Sequence, residues 1–73
     1  MNDFLKEVAE ILEVEGVNET DKLKEFSQWD SLAILSIIAM VETIYGVNLH
    51  ADDIKRVKTA GDLWNLVQLK KRS

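Results

Sequence analysis

A serine beside an aspartate is the part of this 73-residue sequence whose residue types best suit chemistry. Asp30-Ser31-Leu32 lies where a polar stretch meets a long apolar helical pattern, so these residues are expected at the start of a helix. The unsatisfied N–H groups and positive dipole end of a first turn favour a phosphodiester formed on the Ser31 hydroxyl. Asp30 would cap the helix and offer charge to a basic partner. Asp30 and Ser31 are also good helix-start residues and three common residue types recur by chance, so the tripeptide alone leaves a purely structural role open.

Other residue types needed for catalysis or metal binding are sparse. The chain has no cysteine and a single histidine, His50, so it offers no thiolate nucleophile and no transition-metal cluster. The acids from Glu19 to Glu25 lack the alternating spacing of a calcium loop, and three scattered glycines form no phosphate-binding loop. We expect His50 to have a capping or surface role. The sequence thus predicts a protein that is not an enzyme, with no catalytic and no metal-ligating residues of its own.

Length and charge restrict the class of protein further. With 47% hydrophobic residues, residues 1–73 have room for one hydrophobic core and are predicted to form a single domain. The longest apolar run is about half a membrane span, and no basic-then-apolar leader opens the chain. Residues 1–54 have a net charge of −9 and residues 55–73 one of +5, which disfavours nucleic acid as a partner. We expect a soluble, cytoplasmic monomer.

The spacing of apolar residues predicts four helices and no strand. The expected helices cover residues 3–14, residues 31–45, at most two turns starting near Asp52-Asp53, and residues 60–70. The predicted fold is therefore all-α, a small four-helix bundle with three longer helices, one short third helix and a long first loop.

The predicted helix ends depend on capping residues. Asn2 or Asp3 is expected to cap the first helix, which should end near Val14 to Gly16, where glycine tolerates the left-handed exit conformation. Thr59 followed by Asp62 resembles a capping box at the start of the last helix. Lys70-Lys71-Arg72 is expected to be a solvated tail.

The long first connection, residues 15–29, is polar but contains apolar residues at intervals. These anchors are Val17, Leu23, Phe26 and Trp29. Long loops in small domains are usually functional or disordered, and four apolar anchors argue against disorder. We therefore expect an ordered loop packed over the core.

The helix at residues 31–45 carries two apolar stripes. The stripe expected to face the core comprises Ile34, Ile37, Ile38, Val41, Ile44 and Tyr45. The second stripe comprises Leu32, Leu35, Ser36, Ala39 and Thr43. One helix in so small a domain is not expected to bury both, so the second stripe is predicted to be a partner surface. The alternative is extra packing beneath the long loop.

Four segments resemble the acyl carrier protein family. Phe26-Ser27-Gln28-Trp29-Asp30-Ser31-Leu32 is followed by an apolar helix that ends Val41-Glu42-Thr43-Ile44-Tyr45-Gly46-Val47. Leu49-His50-Ala51-Asp52-Asp53-Ile54 and Thr59-Ala60-Gly61-Asp62-Leu63 resemble the short third helix and the capped fourth helix of the family. The resemblance covers essentially the whole chain, and it implies a free-standing carrier domain with a bundle of the acyl-carrier type.

The resemblance also implies a cofactor. Ser31 matches the serine that receives 4′-phosphopantetheine from coenzyme A through a phosphopantetheinyl transferase. The terminal thiol of that arm would carry an acyl or aminoacyl group as a thioester, so a group carrier would supply the thiol that the sequence lacks. Asp30 and Leu32 match family residues beside the serine that help transferases and other partners to dock. Leu35 and Ala39 extend that partner-recognition face along the helix.

One departure from the family pattern bears on the partners. Carriers of fatty acid synthesis usually have several acids on the second helix, whereas this helix has only Glu42 after its cap, with Ala33 and Ser36 where acids are common. Docking through Leu32 and Leu35 should therefore depend more on apolar burial than on charge. This implies a specialised biosynthetic pathway with an acyl- or aminoacyl-activating ligase as the loading enzyme. A downstream acyltransferase or synthase would discharge the cargo.

A non-modified helical interaction module is the alternative function. The same bundle would then bind a partner helix through the face formed by Leu32, Leu35 and Ala39. Replacing Ser31 by alanine separates the two, because it should abolish cargo loading in a carrier and leave binding intact in an interaction module.

Overall fold

Four helices and one long loop make up the computed structural model, which describes residues 1–72. The helices are α1 (Asn2–Leu12), α2 (Ser31–Tyr45), α3 (Ala51–Arg56) and α4 (Ala60–Arg72). A 3₁₀ turn at Leu23–Glu25 lies within the loop between α1 and α2. Within residues 1–72, β-structure is limited to an isolated bridge between Lys22 and Thr59. The all-α prediction, with a short third helix and a long first loop, is confirmed.

The predicted capping residues of α1 are wrong at both ends, although the helix lies within two residues of its expected range. The helix starts at Asn2, so Met1 is the N-cap residue and no side chain caps the first turn. Asn2 and Asp3 are therefore helical residues, although an acid at Asp3 still suits the positive end of the helix dipole.

Glu13, and not Gly16, ends α1 in the left-handed conformation, with a φ of 59°. The Val14 N–H donates to the Ala9 carbonyl at 3.0 Å, and the Glu13 N–H donates to the Glu10 carbonyl at 3.2 Å. These two bonds form a Schellman motif, which satisfies carbonyls that the helix end would leave free. The early turn lets the chain reverse soon after the last buried residue of α1, Leu12, and bring Val17 into the core.

A single core lies between the four helices and the loop. Its fully buried large side chains are Phe4, Val8, Leu12, Leu23, Ile37, Val41, Ile54, Leu63 and Val67. Helix α2 is in contact with both α1 and α3, so it is central to the bundle. None of the helices in residues 1–72 combines the length and apolar character that a membrane span needs.

The long loop is ordered over the core, as predicted. Leu23 is fully buried, Val17 is buried, and Phe26 and Trp29 are half-buried against the core. The Leu23 N–H donates to the Lys58 carbonyl at 2.9 Å, which fixes the 3₁₀ turn to the connection between α3 and α4.

Backbone hydrogen bonds also join the start of α4 to residues 19–21 of the loop. The Gly61 N–H donates to the Glu19 carbonyl at 2.8 Å, and the Ala60 N–H donates to the Asp21 carbonyl at 3.1 Å. A Cβ on Gly61 would lie 2.9 Å from the Glu19 carbonyl oxygen, so only glycine permits this close approach. The loop is thus held by backbone bonds as well as by its apolar side chains.

Reciprocal hydrogen bonds cap α4. The Asp62 N–H donates to the Thr59 hydroxyl oxygen at 3.1 Å, and the Thr59 N–H donates to the Asp62 carboxylate at 3.2 Å. This confirms the predicted capping box. The predicted tail is wrong in part, because Lys70 and Lys71 continue α4 and the Lys70 ammonium lies 3.7 Å from the Asp53 carboxylate.

Three aromatic rings join α1, α2 and α4. The ring centroids of Phe4 and Trp64 are 5.1 Å apart, and Tyr45 lies 6.0 Å from Phe4 and 5.7 Å from Trp64. Partial burial raises the pKa of Tyr45 above its ordinary value of 10.0, and the nearby carboxylates of Asp3 and Glu7 raise it further.

Candidate functional site

Two opposite faces of α2 contain large aliphatic side chains. The inner face includes Ile34, Ile37 and Val41, which are buried, as the core stripe predicts. Ile38 and Tyr45 of that stripe are half-buried. Ile44 is 52% exposed, so the prediction that it faces the core is wrong.

The exposure of Ile44 is an effect of the helix end. Ile44 follows Ile37 by seven residues, so the two lie on the same side of the helix. Ile44 belongs to the last turn of α2, where neighbouring elements leave it largely uncovered. Sequence reasoning also missed Ala33 and Met40, which are buried on the flank of the inner face.

The second stripe forms an exposed face on the opposite side of α2. Its members, all exposed, are Leu32, Leu35, Ser36, Ala39 and Thr43. Leu32 is 73% exposed and Leu35 is 59% exposed. Packing beneath the long loop, the alternative considered for this stripe, is therefore excluded. We call Leu32, Leu35 and Ala39 the outer face of α2.

Ser31 lies at one end of the outer face. It is exposed and is the first residue of α2, directly before Leu32. The Ala33 N–H donates to Asp30 Oδ1 at 3.0 Å, and the Ile34 N–H donates to the Asp30 carbonyl at 3.0 Å. Asp30 is thus the N-cap that the sequence predicts, and it fixes the first turn on which Ser31 sits.

The surroundings of Ser31 fit a phosphodiester on its hydroxyl. An exposed side chain is accessible to a modifying enzyme. The positive end of the helix dipole, together with the first-turn N–H groups that Asp30 does not bond, stabilises an added negative charge. The first turn of α2 contains no acidic residue. The nearest carboxylate in the sequence is that of Asp30, the N-cap.

Charge on the outer face is low. Asp30 lies at its start, and Glu42, which is exposed, lies three residues beyond Ala39. The outer face itself contains apolar and small residues, so a protein that docks there would gain mainly from apolar burial.

His50 and the acidic residues of residues 1–72 form no metal site. His50 is exposed, and its backbone N–H donates to the Asp53 carboxylate at 3.2 Å at the start of α3, in keeping with the expected position at a helix start. Among residues 1–72, no group of three or more histidine and acidic side chains is placed to hold a metal ion.

A cleft lined by basic residues, which was not predicted from the sequence, lies between the 3₁₀ turn and the end of α3. Three bases occur within residues 55–58 and two within residues 22–24, which is a visible signal in the sequence. Only the fold places the two groups around one cleft of about 390 Å³.

Two solved structures share the architecture of this chain. A proposed acyl carrier protein from Mycobacterium tuberculosis is similar with a TM-score of 0.77 and 22% sequence identity, over 92% of each chain. A holo acyl carrier protein from Geobacter metallireducens, determined by solution NMR, has a TM-score of 0.74 and 20% identity, over 93% of this chain and 80% of that one. No protein-family model and no curated protein sequence matches the chain. The chain has the acyl carrier protein fold, as the sequence resemblance predicts.

Proposed function

We propose that this chain is a carrier protein that holds an acyl or aminoacyl group as a thioester on a 4′-phosphopantetheine arm attached to Ser31. The observation that carries the proposal is the position of Ser31, exposed at the start of α2 and directly before the outer face, in a chain with the acyl carrier protein fold. Under this proposal the whole chain is one carrier domain and not an enzyme, in keeping with the carrier names of both structural neighbours.

The cofactor would be covalently bound and donated by coenzyme A. The name of one structural neighbour describes a holo protein, which supports a prosthetic group on this fold. Bound 4′-phosphopantetheine supplies a terminal thiol, the group that forms the thioester with the cargo. The Ser31 hydroxyl would provide the oxygen of attachment, while the Asp30 cap stabilises the first turn of α2.

The partners would be enzymes that modify, load and unload the carrier. They comprise a phosphopantetheinyl transferase, an acyl- or aminoacyl-activating ligase, and a downstream acyltransferase or synthase. We assign docking to Asp30 and to the outer face, because these residues are exposed beside Ser31. The low charge of that face favours partners of a specialised pathway, with docking that weakens little as salt is added. We propose that this pathway is cytoplasmic.

A non-modified interaction module is the second candidate. The exposure of Leu32 and Leu35 favours it, since two large exposed leucines on one face are suited to a partner helix. In that case the outer face would be the functional site and Ser31 would only start α2.

The decisive experiment is intact-mass analysis of the purified chain after incubation with coenzyme A and a broad-specificity phosphopantetheinyl transferase. We expect the mass of one phosphopantetheine to be added to the wild type and none to Ser31→Ala. Ser27→Ala is the matched control, because Ser27 is also exposed but lies in the loop, and it should be modified like the wild type.

Two results would count against the carrier function. If folded wild-type protein gains no mass with several transferases, the interaction module becomes the better proposal. If Ser31→Ala is still modified, the attachment site is another residue. Circular dichroism of each variant shows whether a negative result comes from loss of the helices.

A further inference from the structure

More than half of the basic residues of this chain line one cleft. The chain is acidic overall, with a net charge of −4, yet five of its nine lysine and arginine residues line one cleft. These five, which we call the basic cleft, are Lys22, Lys24, Lys55, Arg56 and Lys58. All five are exposed.

The helix dipole explains only part of this cluster. Lys55 and Arg56 lie in the last turn of α3, where positive charge complements the carbonyl end of the helix. Lys22 and Lys24 belong to the loop around the 3₁₀ turn, more than thirty residues earlier in the sequence. The bond from the Leu23 N–H to the Lys58 carbonyl holds the two segments together at 2.9 Å. The fold therefore gathers like charges from distant segments, which repel each other and favour binding of an external anion.

The basic cleft has little internal neutralisation. Glu25 is the one acid that lines it. Within residues 1–72, none of its five bases forms an ion pair, in contrast to Lys70, whose ammonium lies near Asp53. Its positive charge is thus available to a partner.

The hydrogen-bond donors of the basic cleft indicate which anion it suits, the carboxylates of a protein or a small phosphate ligand. Tight phosphate sites use backbone N–H groups that point at the ligand. Here the N–H groups of Glu25, Val57 and Lys58 are bonded to Lys22, Ile54 and Asp62, respectively. What remains is a set of long, exposed and mostly lysine side chains around the half-buried Val57. Such a surface suits several separate carboxylates, because flexible ammonium groups can each reach a different partner side chain.

We infer that the basic cleft is a docking surface for the acidic surface of a protein partner. It is separate in the sequence from Ser31 and the outer face, and it differs from that face in chemistry. Charge attraction of this kind mainly raises the rate of association and selects partners of opposite charge, and it weakens as salt is added. The inference is independent of whether Ser31 carries an arm.

The test is a titration of the isotopically labelled, unmodified chain with an oligoglutamate peptide, followed by amide NMR signals. We expect saturable shifts confined to residues 22–26 and 55–58. The apparent affinity should fall at least about tenfold between low salt and about 0.3 M salt, because added salt limits charge attraction to a few ångströms.

Charge-reversal variants sharpen the titration. Lys24→Glu/Lys55→Glu should lose the shifts, whereas Lys6→Glu/Lys71→Glu, which changes the net charge equally at exposed sites outside the cleft, should keep them. Lys24→Gln/Lys55→Gln gives a milder second test. Its affinity for oligoglutamate should lie between that of the wild type and that of Lys24→Glu/Lys55→Glu. Circular dichroism checks that each variant retains its helices.

Three outcomes would overturn the inference. The first is the absence of saturable shifts in the wild type. The second is shifts of similar size around Lys6 and Lys71, which would mean unspecific charge attraction. The third is saturable binding of inorganic pyrophosphate at the cleft without binding of oligoglutamate, which would make the cleft a site for a small phosphate compound.

Discussion

The two faces of α2 contain the same kinds of residue but have opposite environments. Ile37 on the inner face is fully buried, whereas Leu35, two residues earlier, is 59% exposed. Nothing in the aliphatic character of the two side chains accounts for the difference, since each gains from removal from water. The position of the neighbouring helices decides it. An exposed apolar face on a central helix is therefore a surface that a partner can cover.

Truncation of the inner face should have the largest effect. Ile37→Ala removes a fully buried side chain and leaves a cavity in the core. We expect a loss of about 3 kcal/mol in the free energy of unfolding. Urea unfolding followed by circular dichroism measures it. Leu35→Ala, the matched outer-face variant, should change stability by about 0.5 kcal/mol or less; equal losses in the two variants would contradict the assignment of the faces.

The outer face should matter for docking. Leu35→Ala should raise the KM of the phosphopantetheinyl transferase for the chain about tenfold, which corresponds to loss of a contact of about 1.4 kcal/mol. Leu69→Ala is the matched control, because Leu69 is an exposed leucine on α4. It should leave the KM unchanged. The assignment of the outer face would be wrong if the two variants behaved alike.

The cap at Asp30 supports both faces, since it fixes the start of α2. Asp30→Ala should lower the free energy of unfolding by about 1 kcal/mol, because the Ala33 N–H loses its acceptor. Asp30→Asn should retain most of the stability, because asparagine also caps helices well. Thermal and urea unfolding of the three proteins provides the comparison. Equal stability of Asp30→Ala and the wild type would show that this cap contributes nothing in solution.

Tyr45 is half-buried at the end of α2, so the pKa of its hydroxyl reports on the boundary between the core and the surface. It is the only tyrosine of the chain, so the ultraviolet absorbance of tyrosinate reports on it alone. We expect a titration midpoint above 10.0, because burial first, and Asp3 and Glu7 next, disfavour the charged form. Asp3→Asn should lower the midpoint slightly. An unshifted midpoint in the folded wild type would mean that the ring is solvated.

The sign of the linked stability effect follows from the same shift. The pKa of Tyr45 is higher in the folded state than its ordinary value of 10.0, so folding favours the neutral phenol. Its contribution to stability is therefore fully present below about pH 10 and is lost as the pH rises through the folded-state pKa.

Several features could be predicted from the sequence because they depend on nearby residues. The Asp30 and Thr59 caps and the two stripes of α2 follow from spacing along one helix. The end of α1 could not be predicted in this way. Glu13 adopts the left-handed conformation there, although Gly16 was available to do so without steric strain. The turn at Glu13 accompanies burial of Val17, which is a tertiary effect.

The sequence by itself determined the helices, their order, the position of Ser31 at a capped helix start and the absence of any thiol, because these depend on residue type and on spacing along the chain. The tertiary structure alone decided where the coverage of the inner face ends, as the exposure of Ile44 shows. It also brought Lys22 and Lys24 beside the end of α3. The physical reason is that burial and the sum of charges depend on segments distant in sequence that meet only when the core forms.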